Sequence, residues 1–191
     1  MPLPVQESDL LTKICFETGS LSGRPVQKRY LSDLRGYFSD EGAYETALKK
    51  KDTLLYTVCS AEPANGEGQM HYGLGMLQPG KIGNEYFLTK GHLHTLREAA
   101  EIYVGLRGTG YMLLEHEHTG ESQLVSLGEG KIVYVPGYTA HRTINTGNEP
   151  LAYLGIYPWN AGHDYGAIAE RNFLKVLVDQ DGQPTLYDRN V

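Results

Sequence analysis

Gly91-His92-Leu93-His94, followed seven residues after the second histidine by Glu101, is the part of this chain best equipped for chemistry. On an extended backbone successive side chains point to opposite faces, so His92 and His94 share one face. Two imidazoles joined by a carboxylate form a cradle for a divalent first-row metal. Forty residues beyond Glu101, the run Gly130-(five residues)-Pro136-(four)-His141-(three)-Asn145 offers His141 as a fourth ligand. A second pair, His116-Glu117-His118, runs straight into Thr119-Gly120-Glu121 and has no later carboxylate at a comparable distance. It reads as a hairpin tip and is not expected to hold metal.

Glu101 must face inward for this to work. In Glu101-Ile102-Tyr103-Val104-Gly105-Leu106, alternation sends Glu101, Tyr103 and Gly105 to one face and Ile102, Val104 and Leu106 to the other. A carboxylate facing a barrel lumen is costly unless paired, protonated or bound to a cation. His141 follows the Pro136-Gly137 turn and is expected at a loop end that carries it back to the lumen.

The rest of the chain supplies the frame. Residues 1–30 read as an irregular or short-stranded arm punctuated by Gly19, Gly23 and Pro25. Ser39 is the expected N-cap of a helix over 40–50, with acids at its start and Lys49, Lys50 and Lys51 at its end. Strands are expected over 53–60, 70–77, 101–106, 111–115, 123–127, 132–135, 142–145 and 151–157, then a helical turn near 165–171 and strands near 173–178 and 185–187. Many short strands between turn signals point to an all-β sandwich or barrel. The expected organisation is one structural domain, with residues 1–52 an arm and short helix packed on a β-barrel of residues 53–191.

Composition narrows the function. A chain of 191 residues suits one well-packed domain. Its 23 acidic against 17 basic residues, a net charge of −6, argue against a nucleic-acid surface, and the clusters over 24–29 and 49–51 read as solvated. Cys15 and Cys59 lack metal-finger or redox spacing and read as two reduced, buried thiols suited to a reducing cytoplasm. The segment Met1-Pro2-Leu3-Pro4-Val5-Gln6-Glu7 shows no signal-peptide pattern. No apolar run approaches the roughly 18 residues of a membrane span.

The motif Gly91-His92-x-His94-(six)-Glu101-(six)-Gly108, with its Gly130 to Asn145 counterpart, resembles the paired signatures of the cupin superfamily, except that Tyr138 stands where many cupins carry glycine. More narrowly, Thr89-Lys90-Gly91-His92, Tyr134-Val135-Pro136, Ala140-His141-Arg142-Thr143, Tyr157-Pro158-(three)-Gly162-His163-Asp164-Tyr165-Gly166 and Leu31-Ser32-Asp33-Leu34-(two)-Tyr37-Phe38 resemble the cupin-type glucose-6-phosphate isomerases. The likeness runs from about Phe16 to the last strand.

That resemblance implies an all-β, single jelly-roll cupin barrel with a short N-terminal helical decoration. It makes His92, His94, Glu101 and His141 the ligands of one divalent metal, with iron first in order and manganese, nickel or zinc also suited to the N/O set. It places Thr89 and the Gly91 N–H at a sugar phosphate, and Tyr56, Tyr103, Tyr157 and Tyr165 around the pocket. Two routes stay open, a metal-assisted hydride shift with Glu101 as a ligand only, or proton transfer through an enediolate with Glu101 as base, and His163, beside Asp164, is a candidate for moving protons during ring opening or for contacting sugar hydroxyls. Gly73-Leu74-Gly75 stands where relatives carry pocket threonines, which bears on phosphate contacts rather than on chemistry. A cytoplasmic homodimer acting on a small sugar phosphate follows from the same likeness, with no nucleic-acid or membrane partner. The competing readings are an Fe(II) cupin dioxygenase and a non-catalytic sugar-binding cupin. Hydroxyls and a phosphate corner would favour the isomerase; an apolar, aromatic-binding cavity would favour the oxygenase.

Overall fold

The computed structural model describes residues 5–189; the first four residues of the segment read for a leader lie outside them. A short helix α1 (Glu7–Leu10) precedes strands β1 (Ile14–Cys15), β2 (Ser20–Leu21) and β3 (Gln27–Tyr30), a 3-10 turn over Leu31–Leu34, and helix α2 (Glu41–Lys50). Then come β4 (Leu54–Ala61), β5 (Met70–Leu77), β6 (Lys81–Ile82), β7 (Glu85–Tyr86), β8 (Glu101–Arg107), β9 (Thr109–His116) and β10 (Ser122–Gly128). The chain finishes with β11 (Ile132–Val135), β12 (Thr139–Asn145), β13 (Leu151–Pro158), α3 (Gly166–Arg171), β14 (Lys175–Gln180) and β15 (Gln183–Asp188).

Two antiparallel sheets enclose the lumen. One has the order β11-β8-β13-β5-β4-β3, the other β10-β9-β12. Their ladders remain separate, so the barrel is a jelly roll of facing sheets. Residues from both build the core: Leu55, Tyr56 and Leu77 meet Leu113, Ala140 and Ile144 in one cluster, and Tyr103, Val133, Leu151 and Tyr153 meet Met112, Leu114 and Leu127 in another. Burying these side chains drives closure at about 25 cal/mol per Å² of apolar surface removed from water.

The strand expectations hold with ends shifted by a few residues, and β5 and β11 match them residue for residue. The brief pair β6 and β7 had no signal of its own; it joins β14 and β15 in a third sheet. The arm contributes more than decoration, because β3 extends the six-stranded sheet as its edge beside β4. The cap of α2 is Asp40 and not Ser39: Asp40 Oδ1 accepts the Ala43 N–H at 2.8 Å, while Ser39 donates its own N–H to Glu85. Both thiols are unpaired, but only Cys59 is buried; Cys15 lies on the small outer β1–β2 hairpin and is partly exposed.

Candidate metal centre and active site

His92, Leu93 and His94 are extended but belong to no sheet ladder; isolated bridges tie His92 to His141 and Leu93 to Asp164. His141 is not on a loop end. It lies inside β12, opposite Leu114 of β9, because β12 begins directly after the Pro136-Gly137-Tyr138 turn. Tyr138 holds that turn with φ +58°, the left-handed conformation usually left to glycine, and donates its hydroxyl to Glu98 at 2.8 Å. Gly91 has φ +75°, and a Cβ there would press on the His141 carbonyl, so the segment can lie flat against β12 only as glycine.

The three histidines converge on one oxygen. Glu101 Oε2 stands 3.0 Å from His141 Nε2, 3.2 Å from His94 Nε2 and 3.8 Å from His92 Nε2. All four potential ligand atoms lie within 4.8 Å of one another. His94 Nδ1 faces the Ala99 carbonyl at 2.9 Å and His141 Nδ1 the Thr139 carbonyl at 3.0 Å. A carbonyl only accepts, so each Nδ1 carries the proton and each Nε2 is left as the ligand atom.

A cation fits this donor set. His92 Nε2 is buried without a hydrogen-bond partner, an orphan that a metal bond would satisfy. The 3.0 and 3.2 Å separations match neighbouring ligands on an ion with bonds of about 2.1 Å. Burial works to raise the Glu101 pKa, but hydrogen bonds from His141 and His94 outweigh it and hold the carboxyl well below its usual range. For His94, burial works downward and is overcome by the Glu101 and Ala99 acceptors, so its pKa rises. Burial, reinforced by the neighbouring His141, drives His92 well below an ordinary imidazole.

The cavity beside the cluster has a bare floor. Gly73 of β5 pairs with Gly155 of β13, which pairs with Tyr103 of β8, so side chains are missing from the middle of the sheet's inner face. A Cβ at Gly155 would collide with Glu101 Oε1, so this second carboxylate oxygen lies over the floor while Oε2 faces the imidazoles. Tyr103 is buried beside Glu101; burial, and then the neighbouring carboxylate, push its pKa well up. Tyr157 is pushed up to about 12, chiefly by burial, with Ser60 beside it. Thr89 locks to β12, its Oγ1 accepting the Thr143 N–H at 3.1 Å and its own N–H donating to the Thr143 carbonyl at 3.0 Å. The Lys90 N–H points at the Tyr56 hydroxyl at 3.5 Å.

His163 and Tyr165 form the mouth. Their rings stack at 6.0 Å, and His163 packs its other side against His92 at 4.6 Å and Tyr157 at 5.2 Å. Loss of water on that packed side lowers the His163 pKa. Asp164 is not its partner: that carboxylate accepts from Arg97 Nη2 at 2.7 Å and from the Gly166 and Ala167 N–H groups. Arg97 also donates to the His94 carbonyl and to Glu117, tying the ligand segment to the 162–165 segment.

Of the residues the sequence placed in the site, all but His94 line one cavity, and His94 joins it through the ligand cluster. His116 and His118 do not; His116 Nδ1 is engaged by Thr119 at the hairpin tip. Val58, Ser60, Arg142, Thr143 and Tyr153 also line the cavity and were not anticipated. The signal for two of them was available: Thr143 and Tyr153 lie one inward step, two residues, from His141 and Gly155 on the same strands.

Facing antiparallel sheets around a His₃Glu cluster define a cupin, here with a hydroxyl-lined cavity over its candidate metal centre. The family model described as glucose-6-phosphate isomerase matches residues 28–190, and the chain belongs to that family. It is 46% identical to the glucose-6-phosphate isomerase of Pyrococcus abyssi over 92% of this chain and 93% of that one. The Thermococcus kodakarensis glucose-6-phosphate isomerase is 47% identical over 92% of each chain. The Sinorhizobium medicae protein of the same name is 37% identical over 90% of this chain and 80% of its own.

Proposed function

We propose that this protein is a metal-dependent glucose-6-phosphate isomerase, interconverting glucose 6-phosphate and fructose 6-phosphate in glycolysis and gluconeogenesis. The observation that carries the reading is the split use of Glu101: Oε2 faces His92, His94 and His141, while Oε1 faces the bare floor where a substrate would lie. Family membership supports the same reaction. The lining supports it too, since Tyr56, Ser60, Thr89, Tyr103, Thr143 and Tyr157 suit a sugar better than the flat apolar ring an aromatic-cleaving oxygenase would take.

A divalent ion held by His92, His94, Glu101 and His141 would supply Lewis acidity to the sugar's carbonyl and adjacent hydroxyl oxygens. The Thr89 hydroxyl and the Gly91 N–H hold the phosphate as neutral donors that can approach closely. From open-chain glucose 6-phosphate, Glu101 Oε1 takes the proton on C2 and delivers it to C1, while the O2 proton passes to O1. Tyr103 keeps the carboxylate in place. His163, at the mouth, serves ring opening by exchanging a proton with the ring oxygen, and Tyr157, Tyr165 and Tyr56 contact the sugar hydroxyls and phosphate.

Iron is the proposed native metal, with manganese, nickel and zinc also compatible with three nitrogens and one oxygen. A homodimer is proposed in line with the exposed Ile102, Ile132 and Tyr134 on the outer face of β8 and β11. Cytoplasmic residence is supported by two unpaired cysteines. Among the described residues no helix is long and apolar enough to cross a membrane. The test is a coupled assay with fructose 6-phosphate on chelated protein and after adding back each metal. Isomerisation that is lost on chelation and restored by a first-row ion supports the reading; full turnover without metal refutes it.

A further inference from the structure

The register turns the inner face of the larger sheet into a grid. One row reads Tyr103, Gly155, Gly73, Ser60; the next reads Gly105, Tyr153, Gly75, Val58. In the second row Tyr153 stands between glycines on both neighbouring strands. Its ring lies down over Gly75, where a Cβ would collide with the Cζ, Cε2 and Oη atoms of the phenol. Tyrosine at 153 in this position therefore requires glycine at 75.

This brings the Tyr153 hydroxyl to a defined position. The residue is 7% exposed, lines the cavity and has the Thr143 side chain against its phenol. Thr143 is hydrogen-bonded through its backbone to Thr89 in both directions. Hydroxyls from β12, β13 and the 89–91 segment thus gather at one end of the cavity. Thr143 is one inward step beyond His141 on β12, about 7 Å. That is close to the distance from the reacting carbons of a hexose to its 6-phosphate.

We propose that Tyr153 is a phosphate-binding, specificity-determining residue: its phenol, given room by Gly75, donates to the substrate's phosphate beside Thr89 and Thr143. The identity of the sugar rests on the isomerase reading; recognition of the phosphate does not. Burial pushes the phenol up to about 12, so it stays protonated and able to donate at neutral pH. The phenol's hydrogen bond to a phosphate is charge-assisted, and the Arg142 guanidinium lines the same cavity.

The test uses inorganic phosphate as the probe, titrated calorimetrically into the metal-loaded full-length protein and into Tyr153→Phe, which keeps the ring and removes one hydroxyl. Phosphate affinity should fall about 10- to 100-fold. KM for fructose 6-phosphate should rise by a similar factor while kcat changes little. Gly75→Ala, whose Cβ alone collides with the ring, should expel the phenol and reproduce the loss without altering residue 153. Gly75→Thr/Tyr153→Val, which returns a hydroxyl to the same space from the other strand, should recover much of it. Equal phosphate affinity in the wild type and Tyr153→Phe, or no phosphate binding by the wild type, overturns the proposal. Tyr153-dependent phosphate binding by a protein that leaves fructose 6-phosphate untouched would uphold it and refute the isomerase reading instead.

Discussion

Replacing Glu101 by glutamine separates its two assignments. The side chain is 3% exposed and its Oε2 lies between 3.0 and 3.8 Å from three Nε2 atoms, so the neutral isostere can keep an oxygen towards the cluster. The amide NH₂ then replaces Oε1 over Gly155, and an amide nitrogen has no lone pair to take a proton from carbon. A neutral oxygen is a weaker ligand than a carboxylate, so metal is supplied in excess and its content measured on the assayed sample. Turnover per bound metal is expected to fall about 10²–10⁴-fold, the contribution of a positioned base. At 1.36 kcal/mol per decade this is roughly 3–5 kcal/mol of transition-state stabilisation. Turnover in D₂O provides a second readout, because a carboxylate that lifts the C2 proton can lose it to solvent and leave deuterium at the new C–H position. Near-normal turnover per metal in Glu101→Gln, with no solvent deuterium in the wild-type product, would refute the base and leave a hydride shift with Glu101 as ligand only.

Three further outcomes follow from the same geometry. His94→Ala and His141→Ala should lose metal and activity together, whereas His118→Ala at the hairpin tip should keep both; metal analysis beside the coupled assay checks this, and metal loss in His118→Ala would contradict the assignment. Thr89→Val removes the hydroxyl facing the phosphate corner and should reduce the preference for fructose 6-phosphate over fructose by about tenfold or more; an unchanged ratio of specificity constants would remove Thr89 from phosphate binding. The lowered pKa of His163 keeps its ring neutral as pH falls to the ordinary imidazole value of 6.5, so a loss of kcat/KM due to its protonation should appear only below that value. A pH profile taken at constant metal occupancy checks the sign: a limb at or above 6.5 that disappears in His163→Asn would refute it.

What the sequence conveyed, and what it did not, divides along the range of the interactions involved. Period-2 alternation is a property of a single strand, so the inward placement of Glu101, Tyr103 and Gly105 was legible without knowing any neighbour. The hairpin tip was legible for the same reason, since His116 finds its partner Thr119 three residues away. Cap choice at α2 was local too, yet Asp40 prevailed over Ser39 because the Ser39 N–H is drawn 46 residues along the chain to Glu85. The pairing of Asp164 with Arg97, rather than with the adjacent His163, is likewise a contact between segments far apart in sequence.

The site shows the same division within one sheet. The motif histidines announce themselves by spacing, because ligands must converge and few backbone paths allow it. The floor and the far wall have no such signature: Gly73, Gly75 and Gly155 become a surface only when β4, β5, β13 and β8 lie side by side in register. A one-residue slip of β13 would turn Tyr153 outward, bring apolar Leu154 into the lumen and set a side chain where Gly155 now leaves room for Glu101 Oε1, so the floor, the far wall and one ligand depend on a single register. Specificity among relatives sharing the ligand motif should accordingly vary at inward glycine–aromatic pairs such as Gly75 and Tyr153, where a hydroxyl can be delivered from either of two adjacent strands.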